Sequence, residues 1–183
     1  MFNAFYPREY VDSAYDIPYE EFYGRGIRGV IFDIDNTLVP HGAPADTRAV
    51  ALFERLRGMG METCLMSNNK EPRVTSFAAQ VASRYLFKAG KPRIKGYKRA
   101  MELMKTDEAT TLFVGDQLFT DVVGAHLIGM PAYLVAPLVD VDLKHTQLVR
   151  KVEGLFLKEP APQSGICLQD DRANAVSSSH EGE

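Results

Sequence analysis

Between residues 27 and 157, short runs of β-branched and aromatic residues alternate with stretches whose apolar residues recur at helical spacing. Ile27 to Ile34 (IRGVIFDI) predicts a strand, and Val50, Leu52, Phe53 and Leu56 mark one face of a helix over Asp46 to Met59. Further strands are expected at Met61 to Met66, Arg84 to Phe87, Thr110 to Val114 and Ala132 to Val135. Helices are expected over Glu71 to Ser83, Pro92 to Lys105, Phe119 to Ile128 and Asp142 to Phe156. Asn69 is a possible N-cap of the first of these, with Pro72 in its first turn. This rhythm constrains the chain more than any other feature. Parallel strands need a crossover of about a dozen residues or more, usually a helix. The alternation therefore leads to an α/β fold, a parallel sheet covered by helices on both faces.

A chain of 183 residues fits one domain with a core of ordinary size. Its 21 basic residues against 24 acidic ones give a net charge of -3, so no nucleic-acid partner is expected. Two cysteines, Cys64 and Cys167, exclude a disulfide scaffold and suit a reducing compartment. The first 25 residues carry Asp12, Asp16, Glu20 and Glu21 and lack the apolar run of a signal peptide. The longest apolar stretch, Ala132 to Val139, is broken by Pro137 and falls far short of the roughly 20 residues that span a bilayer. A cytoplasmic protein is expected, peripheral at most at the inner membrane face. From Glu159 onward there are five acidic residues against Arg172 and no aromatic side chain. Residues 158–183 therefore read as a disordered acidic tail, residues 27–157 as the core, and residues 1–26 as an N-terminal extension packed on it.

In open parallel sheets, ligands bind outside the carboxyl ends of the strands. Asp33, Asp35, Asn36 and Thr37 follow the first core strand, and Ser67, Asn68 and Asn69 the second. Lys91 follows the third, and Gly115 and Asp116 the fourth, with Asp121 one turn later. Hard carboxylate oxygens suit Mg²⁺, and hydroxyls and a lysine suit phosphate, which outlines a phosphoryl-transfer site. Asp33 and Asp35 point the same way if the strand continues through both. Two close carboxylates repel unless a cation sits between them or one holds a proton. They either cap a turn or divide the labour of phosphate-ester hydrolysis. In the second case Asp33 attacks phosphorus, and Asp35 gives a proton to the leaving alcohol and then takes one from water. Asp116 and Asp121 would complete the Mg²⁺ shell. Ser67 caps the following helix, donates to phosphate, or does both. Lys88, Arg93, Lys95, Lys98 and Arg99 cluster around Lys91 at a helix start, where the macrodipole disfavours cations. They form either a solvated basic face or a surface for an anionic partner. His41 reads as a solvated loop histidine.

Asp33-Ile34-Asp35-Asn36-Thr37-Leu38 resembles the DxDxT first motif of the haloacid dehalogenase (HAD) superfamily. Ser67, Lys91-Pro92, and Gly115-Asp116 with Asp121 resemble its second, third and fourth motifs, in the family's order. The resemblance implies a Mg²⁺-dependent phosphatase on a Rossmann-like three-layer α/β/α core. By carry-over, Asp33 would be the nucleophile and Asp35 the acid/base. Thr37, Ser67, Asn68 and Lys91 would bind substrate, and Asp33, Asp116, Asp121 and the Asp35 backbone carbonyl would serve the metal. A narrower resemblance covers most of residues 5–157. Phe5-Tyr6-Pro7, Gly26-Ile27-Arg28-Gly29-Val30, Asp35-Asn36-Thr37-Leu38-Val39, Ser67-Asn68-Asn69 and Gly115-Asp116-Gln117 look like the YqeG family. This subfamily IIIA group is related to the mitochondrial phosphatidylglycerophosphate phosphatase of fungi.

Each interval between Asp33, Ser67 and Lys91 is filled by one helix and one strand, which leaves no room for a cap domain. An open site suits a bulky substrate, so phosphatidylglycerophosphate at an anionic membrane surface is the expected substrate. A soluble sugar or nucleotide phosphate, or a non-catalytic assembly factor on the same fold, are the alternatives. A homo-oligomer could supply a lid from a neighbouring subunit.

Overall fold

Val30 and Phe32 bury into one layer of core and Ile31, between them, into another. Leu112 and Val114 alternate in the same way with Phe113, and Leu65 with Cys64 and Met66. This period of two, with both faces apolar, is the signature of a strand covered on both sides. The computed structural model describes residues 9–138. Its strands are β1 (Glu9–Val11), β2 (Gly29–Phe32), β3 (Glu62–Met66), β4 (Arg84–Leu86), β5 (Thr111–Gly115) and β6 (Ala132–Val135). They form one parallel sheet in the order β1-β6-β5-β2-β3-β4. The helices are α1 (Tyr19–Gly24), α2 (Thr47–Gly58), α3 (Glu71–Val81), α4 (Ile94–Met104) and α5 (Val123–His126), the last entered through a π-helical turn at Leu118–Val122.

Tyr19, Leu52, Phe53, Leu56, Val74, Phe77 and Val81 from α1, α2 and α3 pack against the Val30 and Phe32 face. Tyr97, Ala100, Met101, Met104 and Ala125 from α4 and α5 cover the Ile31 and Phe113 face. The result is the expected three-layer α/β/α arrangement. Cys64 is buried in the second layer with no disulfide, and burial pushes its thiol up to about 12.

Several boundaries differ from the sequence reading, each for a local reason. The cap of α3 is Lys70, not Asn69, whose side-chain amide has another partner. Asp46 does cap α2, its Oδ1 accepting from the Ala49 N–H at 2.8 Å, a contact worth about 1 kcal/mol. Strand β1 and helix α1 were not expected. Residues 9–11 add an edge strand beside β6, so this part of the N-terminal segment belongs to the sheet itself. Tyr15 then donates to the Leu38 carbonyl at 2.6 Å, bracing the loop that follows β2. The helix expected over Asp142 to Phe156 and the tail at 158–183 lie outside the described residues.

The chain order creates the site. From β2 it runs outward through β3 to β4. Helix α4 then carries it back so that β5 lies on the other side of β2. The carboxyl ends of β2 and β5 therefore flank a topological switch point, where open α/β sheets leave a crevice. Asp33 directly follows β2, and Asp116 directly follows β5.

Candidate active site

Asp33 is one residue past β2, yet its N–H still donates to the Val114 carbonyl at 2.9 Å. The ladder bond keeps its side chain on the Ile31 face, toward α4 and α5. Beyond it the chain turns. Asn36 takes a left-handed backbone (φ 65°), a conformation that asparagine tolerates better than most residues, and Asp35 bridges to Val39. The two carboxylates consequently part company. Asp33 is buried with Lys91, whereas Asp35 faces Arg73, Asn69 and Gly42.

On the Asp33 side, one oxygen each from Asp33, Asp116 and Asp121 lie within 4.8 Å of one another, and all three residues are buried. The Lys91 Nζ sits between two of them, 2.6 Å from Asp33 Oδ1 and 2.7 Å from Asp121 Oδ1. Thr37 Oγ1 donates to Asp116 Oδ1 at 3.4 Å. Gly115 makes this approach possible, because a Cβ there would lie 2.7 Å from the Asp121 Cγ. Three buried carboxylates sharing one ammonium leave excess negative charge, and an all-carboxylate donor set suits a hard divalent cation. The residues fit such an ion.

Burial is the main reason the Asp33 carboxyl is pushed up, to about 6; it outweighs the Lys91 charge, and Asp121 adds to the rise. Burial works against the Lys91 charge, but Asp121 and Asp33 overcome it and hold the ammonium above the usual lysine range. Lys91 therefore stays charged throughout the working pH range.

Asp35 has a different environment. Its Oδ1 accepts from the Gly42 N–H at 2.8 Å and from Arg73 Nη2 at 3.0 Å, and its Oδ2 from Asn69 Nδ2 at 3.2 Å. Burial alone would raise this carboxyl, but the Gly42 and Arg73 bonds outweigh it and hold it below the usual carboxylate range. His41 lies at the edge, its Nδ1 3.9 Å from Asp35 Oδ1 and its side chain about half exposed.

The loops after β3 and β4 are tied together. Ser67 is buried, and its hydroxyl accepts from the Asn69 N–H at 3.1 Å. Asn68 clamps the Lys91 peptide unit, accepting from its N–H at 2.9 Å and donating to its carbonyl at 3.2 Å. Arg73 and the bond from Asn69 to Asp35 were not anticipated from the sequence. An arginine in the first turn of an amphipathic helix reads as a solvated charge, and its partner lies far away in sequence.

The chain was compared with known proteins. A family model described as HAD-hydrolase-like matches residues 88–137, the stretch that carries Lys91, Asp116 and Asp121. The chain is 35% identical over 154 residues to the probable phosphatase YqeG of Bacillus subtilis (strain 168), covering 84% of this chain and 90% of that protein. Among solved structures, an uncharacterized protein from Listeria monocytogenes serotype 4b superposes with a TM-score of 0.50 at 14% identity, over 72% of this chain and 98% of that one. A hypothetical protein from Xanthomonas campestris does so with a TM-score of 0.50 at 16% identity, over 67% and 72%. These two likenesses concern the fold.

Proposed function

Because the chain belongs to the YqeG family of HAD-type phosphatases, we propose that it is a Mg²⁺-dependent phosphomonoesterase acting through an aspartyl-phosphate on Asp33. We further propose that its substrate is a phospholipid monoester, phosphatidylglycerophosphate, met at an anionic membrane surface. The observation that carries the chemistry is the convergence of Asp33, Asp116 and Asp121 within 4.8 Å, with Lys91 between Asp33 and Asp121.

Asp33, Asp116 and Asp121 would hold the ion. A bound divalent ion supplies charge neutralisation on the phosphoryl oxygens. Asp33 attacks phosphorus through a carboxylate oxygen as the bond from phosphorus to the substrate alcohol breaks. Asp35 delivers a proton to that alcohol. It then removes one from the water that attacks the acyl phosphate, which returns Asp33 and releases inorganic phosphate. Lys91, already poised on Asp33, stabilises negative charge on the group in transfer, and the Ser67 and Thr37 hydroxyls would donate to its oxygens. Asn68 contributes by fixing the Lys91 backbone.

Two features support a large substrate. Among the described residues, one helix and one strand fill each interval between the site loops, which leaves no cap inserted in either interval. The loop from β4 to α4 and the first turn of α4 expose Lys88, Arg93 and Lys95 together with Phe87 and Ile94, the latter two 37% and 38% exposed. A basic rim with apolar tips matches a bilayer surface, where each Lys or Arg contributes roughly 1 kcal/mol of attraction to anionic lipid. Among the described residues, no helix is long and apolar enough to cross a membrane, so docking would be peripheral.

A phosphate-release screen over lipid phosphates in detergent micelles and soluble esters, with and without Mg²⁺, tests the proposal. The expected result is Mg²⁺-dependent release favouring the lipid phosphate and lost in Asp33→Asn. Preference for a soluble sugar or nucleotide phosphate would overturn the substrate assignment. Full activity of Asp33→Asn would overturn the nucleophile.

A further inference from the structure

Tyr97 is fully buried on α4, and its hydroxyl does not face the core alone. The oxygen lies 2.7 Å from the Thr120 carbonyl and 2.9 Å from the Asp121 carbonyl, so its single proton is shared between them. Both carbonyls belong to the π-helical turn at Leu118–Val122, the turn that carries Asp121 toward Lys91 and Asp33. In a π-helical turn the ladder is widened, and such turns recur at functional sites. Here an outside donor completes it.

Two glycines make the contact possible. A Cβ on Gly124 would lie 2.6 Å from Tyr97 Cε2, so only glycine lets the ring lie against the turn. A Cβ on Gly96 would lie 2.7 Å from the Ala89 carbonyl oxygen, so the first turn of α4 closes tightly on the loop that carries Lys91. The Tyr97 ring also rests on Phe113 of β5, with centroids 5.2 Å apart. Helix α4 thus touches the Lys91 loop through Gly96 and the Asp121 turn through Tyr97.

We propose that Tyr97 is a positioning residue of the metal centre, its hydroxyl holding the Asp121 backbone so that the carboxylate meets those of Asp33 and Asp116. It touches neither substrate nor ion and acts through Asp121. The inference rests on the reading of Asp33, Asp116 and Asp121 as the divalent-metal site. Groups that orient a metal's ligands typically contribute about 10–100-fold to its affinity.

The test is Tyr97→Phe, which removes the hydroxyl and keeps the ring. Mg²⁺ binding is measured by calorimetry on the full chain, without substrate, well below the unfolding temperature of each variant. The expected result is about tenfold weaker Mg²⁺ binding by a protein that remains folded and cooperative. The activating Mg²⁺ concentration should rise in parallel, while the KM for a phosphate ester at saturating Mg²⁺ stays unchanged. Should Tyr97→Phe not fold, Gly124→Ala, which crowds the ring off the turn, carries the same measurement. A variant that folds and binds Mg²⁺ as tightly as the parent overturns the role of Tyr97. A parent protein that binds no Mg²⁺ overturns instead the metal reading beneath it.

Discussion

The Arg73 guanidinium holds Asp35 Oδ1 with two nitrogens, Nη2 at 3.0 Å and Nε at 3.3 Å. The Arg73 side chain is 16% exposed and that of Asp35 12%, so the pair is sheltered without being sealed. The same guanidinium lies 5.3 Å from the Phe77 ring centroid, which fixes it from behind. The carboxylate proposed to move protons is therefore locked in orientation, and its donors favour the ionised form, so the proton it delivers to the leaving alcohol must be taken up when substrate binds.

Replacing Arg73 by leucine should cost about 1–2 kcal/mol at pH 7, since a hydrogen bond to a charged group is worth roughly 1.5–3 kcal/mol and this one keeps some solvent. The sign with pH follows from the lowered Asp35 carboxyl. Its contribution is complete above the ordinary carboxylate pKa and fades as pH falls through the lowered folded-state value. Urea unfolding of the metal-free protein at pH 7 and pH 3 checks this. The difference between parent and Arg73→Leu should shrink at pH 3, and an equal difference at both pH values refutes the account.

Asp33 behaves in the opposite way, with a carboxyl pushed up to about 6. Below that pH the group holds a proton that a divalent ion must displace. Mg²⁺ affinity should therefore rise by about fivefold between pH 5 and 6, more steeply below pH 5, and level off above 7. Calorimetry in buffers of different ionisation enthalpy should show about one proton released near pH 5.5. An affinity independent of pH over this range contradicts the assignment of Asp33 as a ligand.

Gly115→Ala tests the cradle directly. The added methyl would lie 2.7 Å from the Asp121 Cγ and must push that carboxylate away. Overpacking of this kind costs about 1–3 kcal/mol, and Mg²⁺ binding should weaken by more than about tenfold if Asp121 is a ligand. Thermal unfolding with and without Mg²⁺ reads both effects. Stabilisation by Mg²⁺ equal to that of the parent would show that the carboxylate does not matter to the ion.

Lys91 sits between two buried carboxylates, so Lys91→Met leaves both without their cation. Losing one partner of a buried ion pair costs roughly 3–5 kcal/mol. The variant should be strongly destabilised in EDTA, and part of the loss should return when Mg²⁺ supplies positive charge. Stability unchanged in EDTA would mean that the pairing carries no weight.

The parts of the fold that could be read from sequence are those with long, regular patterns. Val30 to Phe32, Thr111 to Val114 and Leu52 to Leu56 announce themselves because each buries a repeating face. Strand β1 did not, because Glu-Tyr-Val is too short to show a period, and its place comes only from pairing with β6. Helix α1 begins after Pro18 and runs six residues, below the length at which periodicity speaks. The π-helical turn was hidden inside what reads as one helix from Phe119 to Ile128. In the site, Asp33, Ser67, Lys91 and Asp116 were findable because strand ends mark them. Arg73, Tyr97 and Gly124 were not. Their importance lies in contacts across the fold, and each has an ordinary local reading as surface charge, core aromatic or small helix residue.

Among the described residues strand β1 pairs with β6 alone, and the Ala136 N–H donates to the Val11 carbonyl at 3.1 Å beyond their shared ladder. During synthesis residues 9–11 leave the ribosome long before residues 132–135 do. The pairing of β1 with the sheet, which sets the chain that leads to the brace from Tyr15 to Leu38, cannot close until translation has passed β6. A chain stalled before β6 would therefore carry an unmatched strand at its front and an unsupported loop after β2. That would expose nascent chains to capture by chaperones or by one another.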